Sequence, residues 1–105
     1  MENSGQALNQ PKIETLLEEC IRRNASDLHL QYGLPPILRV DGALVPISSQ
    51  PVLNEAMLDS LIFSTLDEDQ KQIFLKDKEF DYSFSFDYSY LLEFPAILII
   101  SYCSQ

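Results

Sequence analysis

The chain's 105 residues suffice for one small domain, and 46% hydrophobic with 22% charged residues excludes a chain disordered throughout. Its 16 acidic against 7 basic residues give a formal charge of −9. That excludes nucleic acid as a partner, because phosphate binding needs clustered Lys and Arg, and equally an anionic membrane surface. The start, MENSGQALNQ, has neither the basic lead nor the apolar core of a signal peptide. The longest apolar stretch, Leu91 to Ile100, contains Glu93 and Pro95 and is too short to cross a bilayer. Two cysteines, Cys20 and Cys103, form no CxxC or Cys/His cluster, so a reduced, cytoplasmic chain is the plainest reading.

Residues 1–10 read as a frayed lead-in. Pro11 suits a first helical position, and Ile13, Leu16, Leu17, Cys20 and Ile21 form one apolar stripe, predicting a helix over 11–23. Glu14 in the first turn and Arg22 and Arg23 in the last suit the helix dipole, and Asn24 supplies a left-handed stop. Leu28, Leu30 and Tyr32 alternate with Asp27, His29 and Gln31, the period of a half-buried strand. Gly33 to Pro36 interrupts it. Ile37, Leu38 and Val40 resume a strand, with Arg39 and Asp41 turned the other way; Leu28, Leu30, Ile37 and Val40 are the expected core residues here. Asp41-Gly42 is a two-residue turn signal, and Ala43 to Ile47 returns as a third strand.

Asn54 caps a helix carrying Met57, Leu58, Leu61 and Ile62, with Glu55 in its first turn. A second short helix, about 67–76, presents Ile73, Phe74 and Leu75 behind an acidic start at Asp67, Glu68 and Asp69. Phe80, Tyr82, Phe84 and Phe86 alternate with Asp81, Ser83, Ser85 and Asp87, which predicts a strand with an aromatic core face. The order α, β, β, β, α, α, β and a tail predicts an α+β fold, helices packed on one face of an antiparallel sheet.

The chemistry is sparse. The three glycines, Gly5, Gly33 and Gly42, precede no Lys, so neither GxxxxGK[ST] nor GxGxxG is present. The single histidine, His29, shares a strand face with Asp27, but a surface hydrogen bond explains that pair more simply than a catalytic base. No metal site or nucleophilic triad can be argued from the sequence. The residues alone support a small binding or interaction domain.

The segment ASDLHLQYGLPPILRVDGALVPI resembles the start of the PilT family, the retraction ATPases of type IV pili, within the wider type II and type IV secretion ATPases. Asn24 stands where the family carries Gly, while Gly33 to Pro36 and Arg39 to Gly42 match its turns, and KDKEFDYSFSFD resembles the end of its N-terminal domain. The likeness covers residues 11–88. It implies a non-catalytic, PAS-like N-terminal domain of a hexameric motor for pilus retraction and twitching motility, packing on the RecA-like ATPase core of a neighbouring subunit. ATP and magnesium belong to that core in the full-length family; no cofactor is expected in this chain, and no ATPase activity. The polar strand face, Asp27, His29, Arg39 and Asp41, is then the candidate domain-docking surface. A free-standing PAS-like ligand-binding or adaptor domain is the alternative.

Residues 89–105 depart from the family, which continues with an Arg-Phe-Arg-x-Asn strand; here no Arg or Lys follows Lys78, and Ala96 to Ile100 is continuously apolar. The expectation is that a frameshift or premature stop replaced the true continuation, leaving the sheet incomplete at its C-terminal strands. Losing those strands would bare apolar surface at about 25 cal/mol per Å². Ala96 to Tyr102 can restore the loss by pairing as a strand, or remain a sticky segment that makes the isolated chain poorly soluble.

Overall fold

The computed structural model describes residues 11–77, 81–92 and 95–104. Residues 1–10, Phe80 and the side chain of Tyr82 lie outside this set, and with them the expected lead-in and part of the expected aromatic face.

The first helix, α1 (Ile13–Arg23), follows from its apolar stripe: Ile13, Leu16, Leu17 and Cys20 are all buried. It starts two residues later than expected, so Pro11 precedes the helix instead of opening it. Asn24 ends it at φ 56°, ψ 48°, and the amides of Asn24 and Ala25 return to the carbonyls of Ile21 and Cys20 at 3.2 and 2.9 Å. A left-handed residue lets the chain double back and satisfy two carbonyls that the helix leaves open.

Three strands follow, β1 (Asp27–Gln31), β2 (Ile37–Val40) and β3 (Ala43–Pro46), paired antiparallel. The β2–β3 turn is Asp41-Gly42, with φ 52° and 82°, positive at both central residues as a tight hairpin turn requires. Next come α2 (Glu55–Phe63) and α3 (Glu68–Asp77). Asn54 caps α2 by accepting from the Met57 amide at 2.9 Å. Asp67 and Gln70 cap α3 reciprocally: the Gln70 amide donates to Asp67 Oδ1 at 2.8 Å and the Asp67 amide to Gln70 Oε1 at 3.0 Å. Of the apolar residues expected to anchor α3, only Phe74 is buried; Ile73 and Leu75 are more than half exposed.

The last two strands are β4 (Asp81–Asp87) and β5 (Ile97–Cys103), antiparallel to each other. The strand order is β3-β2-β1-β5-β4. The fold is α+β, with helices on one face of a sheet that does not close, but the sheet is mixed rather than wholly antiparallel: β5 pairs with β1 in parallel, Leu28 opposite Ile100 and Leu30 opposite Tyr102. A parallel neighbour needs a long crossover, which α2, α3 and β4 provide, and strand periodicity carries no sign of direction.

The apolar run therefore pairs as a strand between β1 and β4. Its continuous appearance hides an alternation: Leu98, Ile100 and Tyr102 are buried, while Ile97 and Ile99 face away from the core. One cluster joins Leu28, Leu30, Leu38, Leu98, Ile100 and Tyr102 of the sheet to the buried faces of all three helices. Ile37 is a correction to the expected core. It shares its face with His29 and Arg39, and Leu38, opposite Leu28, takes the core place. Tyr32, beyond the end of β1, is half exposed.

Candidate docking face

The face turned away from the helices follows from strand parity. With even-numbered residues inward, Asp27 and His29 of β1, Ile37 and Arg39 of β2, and Ile97, Ile99 and Ser101 of β5 share the outer face. Registration places Asp27 between Arg39 and Ile99, and His29 between Ile37 and Ser101.

Asp27 and Arg39 form a cross-strand ion pair, Nε to Oδ1 at 3.7 Å. Ser26 Oγ donates to the same Asp27 oxygen at 2.6 Å, and Arg39 Nη1 donates to the Gly42 carbonyl at 3.2 Å. The arginine is thus held between its strand partner and the hairpin turn. Asp41 sits in that turn, exposed and beyond the end of β2. Three of the four residues proposed from the sequence come together on the sheet; the fourth belongs to its rim.

His29 differs from its neighbours. Its Nε2 is buried and, among the described residues, has no hydrogen-bond partner. The ring borders a hollow of about 340 Å³ that Gln31, Ser83, Ser101 and Cys103 also line. His29, Ser101 and Ser83 lie in one row across β1, β5 and β4. A buried ring nitrogen without a partner is costly unless something supplies one, and the hollow is where a partner would enter. Among the described residues, no three His, Cys, Asp or Glu side chains gather to hold a metal ion.

Sequence reasoning missed the contribution of β5. Ile97 and Ile99 add an apolar strip to this face, Leu44 of β3 adds another exposed side chain, and Ser101 and Cys103 complete the hollow. The signal was the parity of 97, 99, 101 and 103, which a continuous apolar run conceals.

Helices on one face, an open five-stranded sheet and a mixed polar and apolar outer face define a small α+β domain. No family model matches the chain. It is 39% identical over 72 residues to the type IV pilus retractation ATPase PilT of Pseudomonas aeruginosa, covering 69% of this chain and 21% of the relative. It is 26% identical over 74 residues to the type IV pilus ATPase PilU of the same organism, covering 70% of this chain and 19% of the relative. The crystal structure of the pilus retraction motor PilT with bound ADP matches with a TM-score of 0.59 and 32% identity, over 72% of this chain and 22% of that one. These likenesses support a PilT-family N-terminal domain fragment. It spans about a fifth of the length of the curated relatives it matches.

Proposed function

We propose that this domain is a non-catalytic docking module of a PilT-like motor for type IV pilus retraction. It packs on a RecA-like ATPase core of a neighbouring subunit in a hexamer, in the cytoplasm, and leaves ATP and magnesium to that core. The observation that carries this reading is the 39% identity to PilT over 72 residues, joined to a shared fold at a TM-score of 0.59. The outer sheet face supports it: the Asp27–Arg39 pair offers fixed charge of both signs beside the exposed Ile97 and Ile99. Exposed ion pairs stabilise a fold by only about 0–1 kcal/mol, so such a pair is free to serve recognition.

The test is calorimetry of the chain against a separately expressed PilT-type ATPase core, and of the chain against ATP alone. Binding to the core that weakens with Arg39→Glu supports the reading. A core that binds no chain at any salt concentration overturns it. The second reading, a ligand-binding adaptor, draws on the His29 hollow, and ATP binding to the chain alone would favour it.

A further inference from the structure

Among the described residues, the sheet ends in two edges, β3 and β4. They are not equally protected. The β3 edge is four residues long and finishes on Pro46, which has no backbone donor. The β4 edge is seven residues long, DYSFSFD, with no Lys, Arg or Pro. Natural sheets blunt such edges with those residues, because an uncovered row of N–H and C=O groups is a template for another strand.

The hydrogen-bond phase shows which residues present that row. The Tyr88 amide donates to the Ala96 carbonyl at 2.9 Å, one step beyond the Asp87–Ile97 pair. Bonds to β5 therefore fall on even-numbered residues. Ser83, Ser85 and Asp87 direct their amides and carbonyls outward, away from the sheet. Their side chains are exposed on the helix-free face, while Phe84 and Phe86 pack against the core.

We propose that β4 pairs with β4 of a second copy of this chain, antiparallel and centred on Ser85, joining two five-stranded sheets into one. The sequence is self-complementary in that register. Ser85 meets Ser85 of the second copy, Phe84 meets Phe86, and the Ser83 hydroxyl meets the Asp87 carboxylate. Aromatic cross-strand pairs and a hydroxyl opposite a carboxylate are favourable. A register centred on Phe84 would instead set Asp81 against Asp87 at both ends, acid against acid. Each copy carries a formal charge of −9, so the two repel at long range and salt strengthens the pairing.

Sedimentation equilibrium of the full chain tests this. A monomer–dimer equilibrium that tightens with salt is expected. Ser85→Lys, which sets two ammonium groups face to face at the two-fold axis, weakens it by about tenfold or more. Register is read by cross-linking. Hydrogen-bonded antiparallel partners lie about 5.5 Å apart, within reach of a disulfide. Oxidised Ser85→Cys therefore gives an 85–85 bridge, identified by peptide mass. Ser83→Cys gives no 83–83 bridge, because those positions are displaced by four residues. A chain monomeric at every concentration and salt, a dimer indifferent to Ser85→Lys, or equal cross-linking at 83 and 85 overturns the proposal.

Discussion

Tyr102 of β5 donates its hydroxyl to Asp59 Oδ1 of α2 at 3.2 Å. The two residues are 43 positions apart, and the bond ties the last strand to the helical layer. The Tyr102 ring also meets Phe74 of α3 edge to face, centroids 5.4 Å apart, and Phe74 meets Phe63 of α2 in the same way at 5.6 Å. One aromatic chain thus joins β5, α3 and α2. A segment that looks foreign to the family in sequence is integrated in packing.

Alkaline pH should weaken the fold through this residue. Burial, then the charge and hydrogen bond of Asp59, push the Tyr102 hydroxyl from 10.0 up to about 12. Above pH 10 the unfolded chain loses this proton while the folded chain keeps it. Stability is therefore whole below pH 10 and is lost as pH rises toward 12. Cys20, raised by burial and by Glu19 from 9.0 to about 12, acts in the same direction from pH 9 upward. Tyr102→Phe should cost about 1 kcal/mol at neutral pH for the lost hydrogen bond and flatten the alkaline decline, read from urea melts at a series of pH values. An unchanged alkaline decline would count against this assignment.

Ile100→Ala should cost about 2–5 kcal/mol, since Ile100 is fully buried between Leu28 and Phe84. Ile97→Ala, 64% exposed on the same strand, should change stability by less than about 0.5 kcal/mol. Chemical denaturation of both variants measures the difference. Equal effects would mean that β5 is not seated as described.

Asn24→Gly should be neutral or stabilising, and Asn24→Ala should cost about 1–2 kcal/mol, because φ 56° is comfortable for glycine and strained for alanine. Thermal melts rank the three. The expected order is Gly at or above Asn, with Ala lowest.

Asn54→Ala removes the acceptor for the Met57 amide and should cost about 1 kcal/mol. Asn54→Asp, which keeps the acceptor and adds charge favourable at a helix start, should preserve stability, and denaturant midpoints decide between them.

Much of the fold was legible along the chain. The stripe of α1, the Asn24 stop, the Asn54 cap and the Asp41-Gly42 turn are local events, set by neighbours within a few residues, and sequence displays them directly. Of the candidate face, the alternation that sets Asp27, His29 and Arg39 on one side was legible, but neither the Asp27–Arg39 ion pair nor the hollow beside His29 was, because strand register fixes the first and β5 and β4 supply most of the lining of the second from more than 50 residues away.

The sequence by itself determined which residues alternate, where helices start and stop, and the kinship with PilT. Only the tertiary structure decided that 97–103 lies between β1 and β4, that Leu38 rather than Ile37 enters the core, and that Phe74 is buried on α3 while Ile73 and Leu75 are exposed. Periodicity gives each element two faces and no neighbours. The choice of neighbour is a non-local balance of apolar burial against chain-closure entropy, settled only when the whole sheet assembles.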